Sequence, residues 1–151
     1  MSFITLPPTF PLVGLPLAAT FALNMYQILS ASALRKIAGV KYPAVYAPDA
    51  EAAVDPKKMK FNCAQRAHAN TLEFTPFVLA LFGYLSVFHP IVASIGQTLW
   101  VIGRIGYTRG YHTGTPGNRI NLVNRLSWTG IAVLFFGTLA VSIQQTYYLL
   151  F

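Results

Sequence analysis

Four long apolar stretches, separated by short polar ones, dominate the chain. Pro11 to Leu34 carries no charged residue and stops at Arg35-Lys36. His68 to Phe88 is apolar apart from Asn70 and Glu73, and Ile91 to Tyr111 is apolar until Arg104. Leu126 to Phe151 has no charge at all. A membrane-spanning helix needs about 20 mostly apolar residues, each rising roughly 1.5 Å through a hydrocarbon core of about 30 Å. The pattern therefore predicts four transmembrane helices over about 11–34, 66–88, 91–111 and 126–151. Phe88-His89-Pro90-Ile91 reads as a tight hairpin, because proline suits the first turn of a new helix. Arg35 to Phe61 is a long polar connection, and Arg109 to Arg125 a shorter one with Gly110, Gly114, Pro116 and Gly117 as turn formers. Pro76 falls inside the second helix, where neighbouring helices must satisfy the freed carbonyl. Gly106 and Gly110 form a GxxxG, a weak packing signal in so glycine-rich a stretch. The expected fold is an all-α membrane protein, a four-transmembrane-helix bundle of up-down topology.

Composition strengthens this reading. Of 151 residues, 54% are hydrophobic and 10% charged, with a mean hydropathy of +0.50. A soluble domain usually carries about 25% charged residues. An ordinary cytosolic domain, a disordered chain and a nucleic-acid binder are all disfavoured. The single cysteine, Cys63, excludes an internal disulfide framework and a cysteine-built zinc site. The net charge of +7 is distributed unevenly. Arg35, Lys36, Lys41, Lys57, Lys58 and Lys60 lie in the first connection, and Arg109, Arg119 and Arg125 lie at or in the third. The second connection and both termini carry no basic residue. That bias places the first and third connections in the cytosol and both termini on the opposite side, as an even number of spans also requires. The first helix lacks a basic leader and exceeds the roughly 7–15 apolar residues of a signal peptide, so it reads as a span that is retained.

Charge inside an apolar helix is costly, about 2.5–3.5 kcal/mol at the bilayer centre, and often functional. Arg66, Asn70 and Glu73 are spaced i, i+4 and i+7, which presents a cation, an amide and an anion on one helix face. Arg104, Tyr107 and Tyr111, at i, i+3 and i+7, line a face of the next helix. His68 lies about 200° around the helix from Arg66, at roughly 100° per residue, and should meet a different neighbour. Two readings carry equal weight at this point. The stripes converge on one ligand site, or Arg66 and Glu73 form a structural ion pair and the tyrosines belong to an interfacial belt. His68 alone is more often a helix-interface histidine than a ligand, and the histidines show no metal spacing. Cys63 reads as a small inert residue, and Lys57-Lys58-x-Lys60 as a loop attracted to lipid headgroups. No phosphate loop, nucleophile elbow or zinc-protease motif is present. Arginines favour carboxylates, a glutamate favours an amine, and phenols can donate to a carboxylate or a thiolate. The ligand class that fits is a small zwitterion with extra negative charge.

The run Phe61-Asn62-Cys63-Ala64-Gln65-Arg66-Ala67-His68-Ala69-Asn70-Thr71-Leu72-Glu73 resembles the helix-two signature of the membrane-associated proteins in eicosanoid and glutathione metabolism, the MAPEG family. Gly103 to Tyr111 is similar to the family's helix-three signature, and the resemblance covers roughly residues 20–140. It implies a homotrimer that binds reduced glutathione between adjacent subunits, with no covalently bound cofactor and no metal. By motif, Arg66, His68, Asn70 and Glu73 correspond to helix-two glutathione contacts, Arg104, Tyr107 and Tyr111 to helix-three contacts, and Arg35 to an arginine near the site, followed by Lys36. Arg119 matches the thiolate-activating arginine, with Arg35 as the rival for that role. Phe74 stands where one branch of the family has a tyrosine, so one hydroxyl contact is lost. The implied activity is glutathione transfer to, or peroxidase action on, a hydrophobic electrophile or lipid hydroperoxide that arrives through membrane lipid. The endoplasmic reticulum is the expected compartment, the mitochondrial outer membrane second. The competing reading is a non-catalytic lipid-presenting scaffold of the same family, against which stands the joint presence of Arg66, Glu73, Tyr111 and Arg119. A transporter is a distant third, since one polar cluster offers no continuous pore.

Overall fold

The structure, a computed structural model, describes residues 5–151. A 3-10 turn at Phe10–Val13 leads into helix α1, Gly14–Ala38. Gly39, with φ of 67°, ends it in the left-handed conformation that glycine adopts without a Cβ penalty. A four-residue helix α2, Asp49–Ala52, interrupts the first connection. Helix α3, Pro56–Phe88, begins well before the expected residue 66. The Asp55 carboxylate accepts the Lys57 N–H and Pro56 takes the first turn, so an N-cap sets this start and not the onset of the apolar run. Lys57, Lys58 and Lys60 are accordingly helical residues, and Lys58 pairs with Glu51 of α2. Helix α4, Pro90–Tyr111, follows after His89 alone. A 3-10 turn, Pro116–Arg119, and an Asn121 cap that accepts the Asn124 N–H introduce α5, Leu122–Leu150.

The side-chain contacts give the helix directions. Thr20 meets Gln97 and Gln27 meets Thr108, so α1 and α4 run parallel. Gln27 also meets Thr71, while Arg35, further along α1, stacks on Phe61, so α3 runs opposite to α1. Gly96 lies beside Leu134, Gly103 beside Ser127 and Gly106 beside Val123, so α5 is antiparallel to α4. Successive long helices therefore alternate, and all eleven Lys and Arg residues fall in the half of the bundle where α1 ends and α3 begins. Three segments are long and apolar enough to cross a membrane: Phe10–Ala38, Pro56–Phe88 and Leu122–Leu150. Helix α4 has 22 residues, a length of about 33 Å at 1.5 Å per residue, but Gln97, Arg104 and Arg109 make it more polar.

Leu23, Val78, Phe82, Leu85, Trp100 and Leu134 fill the interior. In lipid there is little hydrophobic gain from helix association, so close backbone approach through small residues holds helices together. The α4–α5 seam is built this way. A Cβ on Gly103 would lie 2.1 Å from the Ser127 backbone nitrogen, and one on Gly130 would lie 2.5 Å from the Gly96 oxygen. The Gly106-xxx-Gly110 pair is spent on this same intrachain packing, against Val123 and against Asn118. Leu15, Phe21, Phe77 and Phe136 stand exposed on the outside, as lipid-facing side chains do. We expect Gly103→Ala to destabilise the protein in detergent by about 1–3 kcal/mol, the usual cost of overpacking. Gly83→Ala, where nothing lies within 4 Å, should be neutral or stabilising. Equal unfolding midpoints for the two variants would refute the seam.

Candidate functional site

The helix-two and helix-three stripes meet. On α3, Arg66 Nη1 donates to Glu73 Oε1 at 2.7 Å and Asn70 Nδ2 donates to Glu73 Oε2 at 3.0 Å. On α4, Arg104 reaches across: its Nη2 donates to Asn70 Oδ1 at 3.0 Å and to Thr71 Oγ1 at 2.7 Å, and its Nε to the same hydroxyl at 3.1 Å. The Arg104 guanidinium also lies 4.0 Å from the Tyr107 ring centroid, and Tyr107 meets Tyr111 edge to face. Arg66, Asn70, Glu73, Arg104, Tyr107 and Tyr111 thus form one continuous array. The Arg66 and Glu73 side chains are about half exposed, 47% and 52%, whereas Arg104 is 5% exposed. Among the described residues the ion pairs within 4.0 Å are Arg66–Glu73 and Lys58–Glu51, so Arg104 is a buried cation with no carboxylate partner.

A cavity of about 930 Å³ opens beside this array at the basic end. Arg66 and Tyr111 line it, together with Cys63 and Asn62 of α3 and with Tyr46 and Asp49 of the first connection. Apart from Arg35, which the resemblance places near the site, the contribution of this long polar connection was not legible in the sequence. Its placement depends on two side chains. The Asn62 amide pairs with the Ala47 backbone at both ends, accepting from its N–H at 2.8 Å and donating to its carbonyl at 2.9 Å. Arg35 lies between the Tyr42 and Phe61 rings, 4.4 and 4.7 Å from their centroids, and donates to the Ala44 and Val45 carbonyls. Asn62 could have been singled out, since it sits in the signature run. Cys63 is buried, packed with Ala67 and Tyr111, and forms one wall of the cavity.

Arg119 comes to the rim. Its guanidinium lies 5.7 Å from the Tyr111 ring centroid and donates to the Pro116 carbonyl at 2.7 Å, both residues being part of the cavity wall. Gly110 permits this approach, because a Cβ there would lie 2.1 Å from the Asn118 oxygen and 2.9 Å from Arg119 Cα. Asn121 ties the same turn down by donating to the Gly106 and Asn118 carbonyls. His68 does not join the array: it is half-buried, and its Nε2 has no hydrogen-bond partner among the described residues. Phe74 turns away and meets Trp128 of α5 edge to face at 6.0 Å, so the ring that replaces a tyrosine serves packing. His112, just past α4, lies 5.9 Å from the Tyr26 ring. Burial, with the nearby Lys60 charge, pushes its imidazole below the usual histidine range. Among the described residues no group of three His, Cys, Asp or Glu side chains could hold a metal.

The fold and site together define a protein of apolar helices long enough to span a membrane, with a connected array of charged and polar side chains at its basic end. The sequence profile of the MAPEG family matches residues 13–140, and the chain belongs to that family. The family includes glutathione transferases and peroxidases and leukotriene synthases, together with some non-catalytic members.

Arg35 is engaged on every side by the chain itself, so its first task is structural. We expect Arg35→Gln to cost roughly 2–4 kcal/mol, from two ring contacts and charge-assisted hydrogen bonds. Amide hydrogen exchange should accelerate over residues 42–47. Unchanged exchange there would show that Arg35 does not anchor the connection.

Proposed function

We propose that the protein is a membrane-bound glutathione transferase with glutathione-dependent peroxidase activity, of the kind represented by microsomal glutathione S-transferase 3, whose helix-two run it resembles. The observation that carries this reading is Arg104: a cation 5% exposed, oriented by Thr71, Asn70 and Tyr107, with no anion of its own among the described residues. Desolvating a charge without a partner is expensive, and a bound carboxylate offsets that cost. Glutathione has two carboxylates, an ammonium and a thiol. Arg104 and Arg66 match the carboxylates, Glu73 the ammonium, and the Tyr111–Arg119 pair the sulfur. Typical ligand cavities hold about 300–1,000 Å³, and the cavity beside Arg66 and Tyr111 is of that size.

The chemistry follows from charge. A free thiol has a pKa of about 8.5, and the thiolate is the nucleophile. Lowering that value by about two units requires roughly 2.7 kcal/mol of preferential thiolate stabilisation. A guanidinium in a partly desolvated site supplies energy of that order. We assign the role to Arg119, because the Arg35 guanidinium is occupied by two rings and two carbonyls. In transfer, the sulfur lone pair forms a C–S bond with an epoxide or activated alkene, and the oxygen or carbon left negative takes a proton from water. In peroxidase action, the thiolate attacks the terminal oxygen of a hydroperoxide and the O–O bond breaks. The alkoxide is protonated to an alcohol, and the sulfenic product condenses with a second glutathione to give the disulfide and water.

The assembly belongs to the same proposal. Arg66 and Glu73 stand half exposed on a helix long enough to span the membrane, Glu73 at its middle and Arg66 two turns nearer its start. A charge facing lipid costs about 2.5–3.5 kcal/mol at the bilayer centre. A second copy of the chain covers them in a homotrimer, and glutathione binds between copies. Helix α4 crosses as a fourth span, the basic end faces the cytosol, and both termini lie on the other side. The membrane is that of the endoplasmic reticulum, with the mitochondrial outer membrane second. The hydrophobic substrate reaches the thiolate laterally from lipid.

Calorimetry on detergent-purified protein should show glutathione binding that Arg66→Ala weakens at least tenfold, since a hydrogen bond to a charged group contributes about 1.5–3 kcal/mol. No binding by the wild type would transfer the protein to the scaffold members of its family. The ultraviolet absorbance of bound thiolate, followed against pH, tests the second assignment. Arg119→Ala should raise the half-ionisation pH toward the free-thiol value of about 8.5 and lower kcat more than it weakens binding. If instead Arg35→Ala raises that pH and Arg119→Ala does not, activation belongs to Arg35.

A further inference from the structure

Helix α1 contributes no residue to the array described above, yet it holds that array in place. Gln27, 1% exposed at mid-helix, donates through Nε2 to Thr71 Oγ1 of α3 and to Thr108 Oγ1 of α4, both at 2.8 Å. Each threonine hydroxyl has a single proton to give, and both are committed to backbone. Thr71 donates to the Ala67 carbonyl at 2.9 Å, and Thr108 donates to the carbonyl of Arg104 itself at 2.8 Å. Only the N–H side of the Gln27 amide can therefore face them. With its one proton spent on Ala67, Thr71 Oγ1 can only accept from side chains, and its two lone pairs are shared by Gln27 Nε2 and by Arg104 Nε and Nη2. One amide thus constrains Arg104 at both ends, the guanidinium through Thr71 and the backbone turn through Thr108.

We infer that Gln27 is a positioning residue, fixing the Arg104 guanidinium in the orientation that receives a glutathione carboxylate. The inference deepens the functional reading above and rests on it. The fold also supplies a matched control. Gln97 of α4 is equally buried, donates through Nε2 to Thr20 of α1 at 2.7 Å, and like Gln27 leaves its Oε1 without a partner among the described residues. It joins α1 to α4, two of the three helices that Gln27 bridges, and among the described residues is bonded to no residue of the array. A purely structural role predicts that the two glutamines behave alike.

The experiment compares Gln27→Met with Gln97→Met in the full-length protein in detergent. Both should lower thermal stability to a similar degree. Gln27→Met alone should raise the glutathione dissociation constant, by about tenfold, the scale set by one interhelical hydrogen bond. It should raise KM for glutathione and leave KM for the hydrophobic substrate unchanged. Combined with Arg104→Lys, it should weaken binding no further than Arg104→Lys alone. Equal losses of affinity in the two methionine variants, or losses that add to that of Arg104→Lys, overturn the inference. Should Gln27→Met fail to fold, Gln27→Asn keeps the amide but is one methylene too short to span both hydroxyls, and the same outcomes apply. Hydrogen exchange of the Arg104 Nε–H, read by nitrogen-15 NMR without ligand, separates the two claims. Faster exchange in the Gln27 variant than in Gln97→Met upholds the positioning role even if the wild type binds no glutathione, a result that would remove only the functional reading. Equal exchange removes the positioning role.

Discussion

The structure depends on how a guanidinium can be kept between apolar helices. Arg104 is 5% exposed and among the described residues has no carboxylate within ion-pair distance, so its donors must be matched by neutral acceptors supplied by α3. A buried polar group left unmatched costs more than a matched one contributes, which makes such a network exacting. Thr71 and Asn70 have to be at the right height on α3, Gln27 at the right height on α1, and Tyr107 one turn along α4. The relative register of three helices is thereby coupled to one side chain. The remaining apolar contacts hold the helices together but discriminate less sharply between neighbouring registers.

The glycine seam serves the same end. Because Gly103, Gly106 and Gly110 let α5 and the preceding turn lie directly on α4, that face of α4 carries no bulk. Arg104 and Thr108 occupy other faces, toward α3 and α1, and Tyr111 reaches the cavity. The turn that carries Arg119 is lowered onto Gly110 and tied by Asn121, so a loop cation is held at a defined distance from Tyr111. Helix packing and site construction are thus two uses of one α4 surface.

Much of this could be read from the chain. Spacing alone grouped Arg66 with Asn70 and Glu73, and Arg104 with Tyr107 and Tyr111, because helical periodicity is strict and charge in an apolar run is conspicuous. The long helices were legible for the same reason, although the start of α3 was set by the Asp55-Pro56 cap and not by hydropathy. Three features were not legible. The first connection folds over the cavity because Asn62 and Arg35 bind its backbone carbonyls, and backbone partners leave no trace in composition. Gln27 is an uncharged polar residue in an apolar stretch, and Thr71 and Thr108 are overshadowed by the charged residues Glu73 and Arg109 close by in the chain. The sequence offers Arg35 as a site residue and a rival for thiolate activation, and only its two flanking rings and two carbonyl partners show it as an anchor of the connection.

The contrast between Arg35, Arg104 and Arg119 shows what makes a cation available for chemistry. All three stack on aromatic rings, so stacking does not distinguish them. Their other partners do. Arg35 donates to two main-chain carbonyls of a connection it must hold, and a ligand anion would have to displace that structure. Arg104 is buried with neutral acceptors only among the described residues, an arrangement suited, under the proposed function, to a carboxylate that is present throughout turnover. Arg119 is half-buried, on a turn, and bonded to one carbonyl next to a cavity wall. Its remaining donors can meet a charge that appears on sulfur only as the proton leaves, at little reorganisation cost. Under the proposed function, binding and activation fall to cations of different burial, Arg104 on α4 and Arg119 on the turn that follows it.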